Sequence, residues 1–396
     1  MKKLVIILIF TCFIVFQTGC STTEESENNS SVAASGFTNI AANTDDNTAA
    51  NTSTNTAANT SASTKSVQWP TEKWSTATPE SQGLNEQQLV KTDKTIIENY
   101  PNVYSLLIIK NGYMVYEKYY NGAKETSYNP VFSVTKSVLS ALTGIAVREK
   151  LIQSTQQKVS ELIPKYFNKI DSPKKKDITI ENVLTMTGGL ESIDKNYYGF
   201  FASRDWLQYS LERPLTDEIG SKFVYNTGLT QMLSAVISEK SGMNTEAFAE
   251  KYLFEPLNIK VKRWDTDPAG SYGGGTGLYL TARDMAKFGM LYLNNGRWEN
   301  KQIIPEDWVK ASSTKQVGLD NNQDYGYLFW IKNMTSKTTD KSYYTYRADG
   351  AGGQKIVIIP ELDMVVVVTA DEHRSSLQGA SDTQTLIEEY VIPAVK

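Results

Sequence analysis

Blocks of apolar and polar residues predict two β-hairpins, one towards each end of the chain. The first comprises Val103 to Ile109, Asn111-Gly112 and Tyr113 to Tyr119, because Asn-Gly between two β-rich runs suits a type I′ turn. The second lies in residues 354–370, QKIVIIPELDMVVVVTA, with its turn at Pro360 to Asp363. Its two apolar runs are continuous rather than alternating, so we expect strands buried on both faces at the centre of a sheet.

Helical periodicity dominates the sequence between the hairpins. It predicts helices at Val134 to Glu149, Ile180 to Met186, Thr230 to Lys240, Thr245 to Leu253 and Thr281 to Asn294, and an amphipathic segment from Thr383 to Tyr390. The simplest arrangement is an α/β (α+β) domain. We expect an antiparallel sheet built from both chain ends and flanked by helices, with a mostly helical subdomain inserted in the middle.

The first twenty residues have the pattern of an export signal. Two lysines precede an apolar run from Leu4 to Phe16, which is too short to span a bilayer comfortably. The segment ends on Gly19-Cys20 and resembles a bacterial lipoprotein signal, which implies that Cys20 is acylated and becomes the mature N-terminus. An ordinary secretory signal with an incidental cysteine is the alternative.

Residues 21–66 are low in complexity, since 36 of the 46 are Ser, Thr, Asn or Ala. Such a segment buries too little apolar area to offset the entropy cost of ordering, so we expect a disordered tether. All seven tryptophans lie beyond it. The predicted organisation is therefore a lipoprotein signal at 1–20, a tether at 21–66 and one globular domain at 67–396.

The composition limits the partners, disulfides and metal sites that the domain can have. The net charge is −4, which argues against nucleic acid as a partner. Cys12 would leave with the signal and Cys20 would carry lipid, so the predicted domain has one histidine, His373, and no thiol. We therefore expect no disulfide, no metal with nitrogen or sulfur ligands, and no cofactor. His373 follows the last predicted strand and is expected to be a surface residue.

The sequence SVTK at Ser133 to Lys136 is the strongest chemical candidate. Ser-x-x-Lys also occurs at 172–175, 192–195 and 312–315, but there the local sequence predicts surface turns. Only Ser133 opens a long helical pattern. At helical spacing one arc of about 100° holds Ser133, Lys136, Ser137, Ser140 and Gly144, opposite Val134, Val138, Ala141, Leu142 and Ile145.

This spacing places the Lys136 ammonium beside the Ser133 hydroxyl, one turn away on the same face. A helix N-terminus also favours an oxyanion that forms at the serine. Lys136 can act as a base only if burial lowers its pKa. The alternative is a helix-capping serine followed by a solvated lysine.

Ser-x-x-Lys is the nucleophile motif of β-lactamases and penicillin-binding proteins, and further segments extend the likeness. They are ITIENVLTMTGGL, FVYNTGLTQMLSAVISEKSG, FEPLNI, GGGTGLYLTARDMAKFGMLYLNNGRW, IIPEDWV, YGYLFW and GAGGQKIVIIPELDMVVVV. From about Val103 to its end the chain resembles the serine β-lactamase-related hydrolases of the class C type. Its motif pattern is most similar to the esterase and 6-aminohexanoate-dimer hydrolase branch.

The resemblance implies roles for specific side chains. Ser133 would be the nucleophile, Lys136 its general base, and Tyr225 in FVYNTG a proton shuttle. The family's second motif is Tyr-x-Asn, whereas here Asn226 follows the tyrosine directly and Thr227 stands in the usual Asn place. Asn226 is retained as a candidate substrate-binding residue.

The third motif falls in YRADGAGGQ. Ala348 stands where antibiotic-recognising members carry Lys or His, and Gly350 follows two residues later. The resemblance implies substrate binding at Ala348 and Gly350, and an oxyanion hole formed by the backbone N–H groups of Ser133 and Ala351. Without the cationic residue, substrate preference should shift away from penicillins.

Taken together, these features predict a lipid-anchored extracytoplasmic serine hydrolase that cleaves an ester or amide of a small molecule or peptide through an acyl-enzyme. One alternative is a D-alanyl-D-alanine carboxypeptidase or β-lactamase. Another is a catalytically silent lipoprotein that binds cell-wall peptide. The membrane is the expected partner of the N-terminal lipid, and the sequence leaves the oligomeric state open.

Overall fold

A computed structural model describes residues 67–168, 170, 172–320, 322–337, 339–371 and 382–396. The expected signal, Cys20, the tether and His373 lie outside these residues, and so their assignments remain predictions. Within the described ranges, no helix combines the length and the apolar character needed to cross a membrane.

The described helices and strands follow the predicted order. The α-helices are α1 (Glu86–Asn99), α2 (Val134–Arg148), α3 (Val159–Leu162), α4 (Pro164–Phe167), α5 (Ile180–Leu184), α6 (Tyr197–Ala202), α7 (Trp206–Glu212), α8 (Thr227–Ser241), α9 (Thr245–Ala249), α10 (Ala282–Leu293), α11 (Glu306–Ser313) and α12 (Thr383–Leu386). The strands are β1 (Val103–Lys110), β2 (Tyr113–Tyr119), β3 (Tyr128–Pro130), β4 (Arg263–Trp264), β5 (Leu278–Thr281), β6 (Arg297–Trp298), β7 (Lys301–Gln302), β8 (Val317–Leu319), β9 (Gln323–Tyr325), β10 (Trp330–Thr335), β11 (Ser342–Gly350), β12 (Gln354–Ile359) and β13 (Met364–Ala370).

Both chain ends build one antiparallel sheet, as predicted. Its order is β2-β1-β13-β12-β11-β10-β9-β8, and β1 pairs with β13 from Lys110 opposite Met364 to Val103 opposite Ala370. Asn111 and Gly112 both have positive φ, which is the conformation that a type I′ turn requires. The segment between β2 and β8 is mostly helical, so the predicted fold class is confirmed.

The central strands are buried on both faces, which explains their continuous apolar runs. Ile356 and Ile358 of β12 belong to the core shared with α2 and α10. Val357 and Ile359 belong to a second core on the opposite face, which α1 and the C-terminal helical segment cover. Residues next to each other on a strand point to opposite faces, so every position of these strands excludes water.

Helix α2 lies in the middle of the domain, packed against α8 and β11. Every residue from Val134 to Ala146 is buried, so the polar arc found in the sequence does not face solvent. Its hydroxyls bond inside the protein: Ser137 Oγ donates to the Leu328 carbonyl at 2.7 Å, and Ser140 Oγ lies 3.4 Å from Ser312 Oγ.

Two predictions of surface turns were wrong. Ser312 is fully buried near the end of α11, because this helix packs against α2. Its hydroxyl donates to the Trp308 carbonyl. Ser192 is also buried, and it caps a short helical turn, Ile193–Lys195. Two predicted α-helices, α9 and α12, end earlier than expected. Each is followed by a π-helical turn, at Glu250–Phe254 and at Ile387–Val391.

Candidate active site

Ser133 stands at the junction between a loop and the buried helix α2. The residue before it, Phe132, has φ of 47°, a left-handed conformation that is costly for a bulky side chain and that occurs preferentially at functional sites. Ser133 is the N-cap of α2, but its hydroxyl makes no capping hydrogen bond, and the residue is partly exposed. The hydroxyl is therefore available for chemistry.

Lys136 lies one turn further along α2 and is 1% exposed. Its Nζ atom lies 2.9 Å from Ser133 Oγ, 2.9 Å from Thr227 Oγ1 and 2.9 Å from the Gly275 carbonyl oxygen. The alternative of a capping serine with a solvated lysine does not match this geometry. The two side chains instead form a buried pair.

Burial changes the charge state of this lysine. Loss of hydration lowers the pKa of Lys136 to about 8, although the nearby Asp194 carboxylate acts to raise it. About one tenth of the molecules would then carry a neutral Lys136 amine at pH 7. An amine with a free electron pair beside a serine hydroxyl is a suitable general base.

The ring of Tyr225 also lies close to the Lys136 amine. Lys136 Nζ is 4.9 Å from the centre of its ring, and the ring stacks on Trp330 with centroids 5.6 Å apart. Burial raises the pKa of Tyr225 well above its ordinary value, while the Ser133 side chain opposes the rise. Tyr225 therefore keeps its proton at neutral pH, so the lysine rather than a phenolate is the group that accepts one.

Thr227 occupies the Asn position of the family's Tyr-x-Asn motif. Its side chain contacts Lys136. Its hydroxyl accepts from Lys136 and donates to Asp194 Oδ1 at 2.7 Å. The sequence motif pointed to Asn226 as the candidate instead. The sequence predicted neither a role for Asp194 nor the contact between Thr227 and Lys136. Asp194 is remote in the sequence from the motifs that contain Ser133 and Tyr225.

The side chain of Asn226 is bonded to the backbone around the start of α8. It is 1% exposed and caps α8, accepting from the Gly228 N–H at 2.9 Å. Its amide donates to the carbonyls of Leu190 and Glu191 at 3.3 and 3.2 Å. Because both ends of the side chain bond to the backbone, Asn226 holds the start of α8 and is unsuited to substrate binding.

The glycine-rich loop at 273–277 contributes to the site, which sequence analysis missed. The Gly275 carbonyl accepts from Lys136. A Cβ atom on Gly275 would lie 2.5 Å from Thr230 Oγ1, 2.9 Å from Thr227 Cγ2 and 3.1 Å from Lys136 Nζ. Only glycine lets the backbone come this close to the lysine.

The end of β11 meets the loop that carries Ser133. A Cβ atom on Gly350 would lie 2.3 Å from the Val131 carbonyl oxygen, so glycine permits the approach. Ala351 is exposed and directly follows this contact. The arrangement suits the oxyanion hole expected from the N–H groups of Ser133 and Ala351, although the role itself remains a prediction.

Ala348 is fully buried and faces the apolar core on β11. It therefore presents no side chain to a substrate, and no cationic group replaces the missing Lys or His at this position. The charged residues beside it are paired, with Arg347 Nε 2.8 Å and Lys355 Nζ 3.4 Å from the Asp349 carboxylate. Burial alone would raise the pKa of Asp349, but Lys355 and Arg347 hold it below its ordinary value.

Metal ligation has no visible basis in the part of the chain that the structure describes. No group of three His, Cys, Asp or Glu side chains there is arranged to hold a metal ion.

Comparison with known proteins places this fold among those of the β-lactamase and penicillin-binding type. A sequence model of the β-lactamase family matches residues 96–387. This is well over half of the chain, which therefore belongs to the β-lactamase family. The resemblance seen in the sequence is confirmed at this level.

Individual relatives are distant. A protein from Escherichia coli O157:H7 named "Putative D-alanyl-D-alanine carboxypeptidase" is 22% identical, with 80% of this chain and 90% of that protein covered. An uncharacterised protein of Alkalihalophilus pseudofirmus is 25% identical over 66% of this chain and 82% of its own length. The solved structure titled "Putative 6-aminohexanoate-dimer hydrolase from Bacillus anthracis" has a TM-score of 0.62 at 21% identity, covering 76% of this chain and 80% of that one.

Proposed function

We propose that the protein is a serine hydrolase that cleaves an ester or amide through an acyl-enzyme on Ser133. One observation carries the proposal: Lys136 Nζ lies 2.9 Å from Ser133 Oγ and is buried. This is the arrangement of a nucleophile and its base. Membership of the β-lactamase family supports it.

Acylation begins with the neutral Lys136 amine. The amine takes the proton of Ser133 Oγ as that oxygen attacks the substrate carbonyl carbon, and the carbonyl oxygen becomes an oxyanion. The N–H groups of Ser133 and Ala351 would stabilise this oxyanion, and such donors typically lower the barrier by about 3 kcal/mol each.

Collapse of the tetrahedral intermediate requires a proton on the leaving group. Tyr225 is protonated and adjacent, so its hydroxyl gives a proton to the departing oxygen or nitrogen and regains one from the Lys136 ammonium. Water then attacks the acyl-enzyme while Lys136 accepts its proton. As the acid leaves, Lys136 returns that proton to Ser133 Oγ, which restores both side chains.

Ester and small amide substrates fit the site better than penicillins. Antibiotics and cell-wall peptides carry a carboxylate, and Ala348 offers it no charged partner. The nearest carboxyl on β11, Asp349, is ionised and already paired with Arg347 and Lys355. Both cations are therefore engaged with Asp349 rather than held ready for a substrate carboxylate.

A carboxypeptidase or β-lactamase is the second candidate, and the name carried by the Escherichia coli relative favours it. A binding protein without catalysis is a third, but it gives no reason to bury a lysine against a serine. A panel containing a chromogenic cephalosporin, p-nitrophenyl esters and a 6-aminohexanoate dimer separates these functions. Rapid cephalosporin turnover would favour the second candidate over our proposal.

Active-site labelling tests the proposal itself. The domain 67–396 is incubated with a fluorophosphonate probe alongside Ser133→Ala and Ser172→Ala. Ser172 begins another Ser-x-x-Lys sequence and is the matched control. We expect labelling of the wild type and of Ser172→Ala, and none of Ser133→Ala. Equal labelling of all three proteins, or of none, would refute the acyl-enzyme.

We also propose that the protein acts outside the cytoplasm, anchored by lipid on Cys20. The support is the sequence of the first twenty residues. The tether at 21–66 would let the domain reach substrates away from the membrane surface.

A further inference from the structure

We propose that Asp194 is a positioning residue which, through the Thr227 hydroxyl, turns the electron pair of Lys136 towards Ser133. The inference rests on the proposed acyl-enzyme function. It concerns a residue that lies outside the three motifs of the site.

The Asp194 carboxylate accepts three hydrogen bonds. It accepts from Thr227 N at 2.6 Å and from Thr227 Oγ1 at 2.7 Å. It also accepts from the Tyr197 hydroxyl, whereas Ser192 Oγ, 3.1 Å away, has a closer acceptor in the Tyr225 carbonyl at 2.7 Å. An ionised carboxylate accepts hydrogen bonds and donates none, and three donors hold Asp194 in place.

This fixes the direction of the hydroxyl of Thr227. The hydroxyl has one hydrogen, and Asp194 can only accept, so that hydrogen points to Asp194. Thr227 Oγ1 is left as an acceptor on the side that faces Lys136 Nζ, 2.9 Å away. The Gly275 carbonyl, also 2.9 Å from Nζ, is an acceptor as well.

A neutral amine has two hydrogens and one electron pair. With two acceptors fixed around it, Lys136 directs its two hydrogens to Thr227 and Gly275. The electron pair then points at the third neighbour, Ser133 Oγ, which is the orientation a base needs. Without Asp194, the Thr227 hydroxyl could donate its hydrogen to the amine and compete with Ser133 for the electron pair.

Asp194 also acts on the charge of the lysine. The titratable groups near Lys136 are Asp194 and Tyr225. Tyr197 and Asp349 in turn help to raise the pKa of Tyr225. The carboxylate raises the pKa of Lys136 against the effect of burial. Removing the charge should therefore lower that pKa, and the acylation rate should then reach its plateau at a lower pH.

The test measures fluorophosphonate acylation rates from pH 5 to 10 for Asp194→Asn, Thr227→Val and Thr227→Ser. We expect Asp194→Asn and Thr227→Val to acylate at least tenfold more slowly on the plateau, and Thr227→Ser to stay within about threefold of wild type. The midpoint for Asp194→Asn should move to lower pH. If Asp194 and Thr227 only stabilised the fold, we would expect neither the shift in the pH midpoint nor the near-normal rate of Thr227→Ser.

Asp217→Asn is the matched control, because Asp217 Oδ2 also accepts from a threonine hydroxyl, that of Thr216, on the exposed surface. Wild-type plateau and midpoint in Asp194→Asn would overturn the proposal, as would equal losses in Asp217→Asn. If Ser133→Ala still reacts like wild type, the proposed function has failed instead, so the two failures are distinguishable.

A separate observation concerns the surface next to Asp194. Helix α6 exposes three aromatic side chains, with Tyr197 41%, Phe201 47% and Tyr198 78% exposed. The rings of Tyr197 and Phe201 stack 5.9 Å apart. Phe200 anchors the helix from below, being 1% exposed and stacked on Trp206 at 5.1 Å.

We infer that Tyr198 and Phe201 bind an apolar part of the substrate that acylates Ser133. Tyr197, which stacks on Phe201, connects this surface to the site, because its hydroxyl bonds to Asp194 and Asp194 bonds to Thr227, the neighbour of Lys136. Exposed aromatic rings held rigidly lose little entropy on contact with an apolar group. This inference also rests on the proposed function.

The test compares inactivation rates by an ethyl and a dodecyl fluorophosphonate. We expect the wild type to react faster with the dodecyl probe, and the combined Tyr198→Ala and Phe201→Ala variant to lose at least fivefold of that preference with the ethyl rate nearly unchanged. Ile97→Ala is the control, since Ile97 is 69% exposed on α1, which covers the opposite face of the sheet.

No chain-length preference in the wild type, or an equal loss in Ile97→Ala, would overturn this inference. Failure of either probe to label Ser133 would instead count against the proposed function.

Discussion

The Nζ atom of Lys136 lies 2.9 Å from the Oγ atom of Ser133 inside a site that excludes water from the lysine. This relationship distinguishes SVTK from the three other Ser-x-x-Lys sequences of the chain. Because burial lowers the pKa of Lys136, it also determines how acylation depends on pH.

The first prediction concerns that pH dependence. Since burial lowers the pKa of Lys136 to about 8, the acylation rate should rise with pH below 8 and level off above it. Burial keeps Tyr225 protonated well beyond this range, so no fall is expected between pH 8 and 10. Stopped-flow acylation with a fluorophosphonate measures the midpoint, and a rate independent of pH from 6 to 9 would contradict a lysine base.

The second prediction is that Lys136→Met abolishes acylation yet stabilises the fold at neutral pH. The folded pKa is lowered from 10.5 to about 8, so burial of the charged form costs stability below pH 8, and the cost fades towards pH 10.5. Lost hydrogen bonds offset part of it, leaving an expected gain of roughly 1 to 3 kcal/mol at pH 7. Urea unfolding at pH 7 and pH 10 should show the gain shrinking. A gain that grows with pH would show that the sign is wrong.

The third prediction concerns Gly275. In Gly275→Ala the new methyl group would meet Thr230, Thr227 and Lys136 at 3.1 Å or less, so the lysine must move. A displacement of this kind can cost about 100-fold in rate. Gly318→Ala is the matched control, because its Cβ would meet mainly the flexible end of Lys315. Full activity in Gly275→Ala would show that the loop does not position the base.

The fourth prediction separates the hydroxyl of Tyr225 from its ring. Tyr225→Phe keeps the stacking on Trp330 but removes the proton donor, and loss of acid catalysis should lower turnover of an alkyl ester by about 100-fold or more. Tyr325→Phe is the control, since Tyr325 is a buried tyrosine of the same aromatic group. Equal turnover in wild type and Tyr225→Phe would remove Tyr225 from the mechanism.

The fifth prediction concerns the N-terminus. The full chain expressed in a bacterium with labelled fatty acid should incorporate label and partition into detergent, and Cys20→Ser should do neither. Retention of label in Cys20→Ser would contradict the lipid anchor.

Much of the fold was predictable because hairpin turns and strand burial are local in sequence. Asn111-Gly112 fixed one hairpin, and the continuous apolar runs of β12 and β13 identified central strands. The burial of Ser312 was not predictable, because it depends on α11 packing against α2. The same limit applies to helix ends at α9 and α12, where π-helical turns replace the expected last turns.

The candidate site was predictable to the extent that its residues lie in motifs. Ser133 and Lys136 are one helical turn apart, and so their contact follows from spacing. Asp194 and Gly275 reach the lysine only through tertiary packing, and neither has a sequence signal that separates it from an ordinary turn residue. Asn226 was a misleading candidate because a helix cap and a substrate ligand use the same side chain.

The central claim is that Ser133 becomes covalently acylated with Lys136 as its base. The most direct measurement is peptide mapping by mass spectrometry of the wild type and Lys136→Met after reaction with one fluorophosphonate. We expect one adduct per wild-type molecule, located on Ser133, and almost none in Lys136→Met. An adduct on another residue, or equal modification of both proteins, would contradict it.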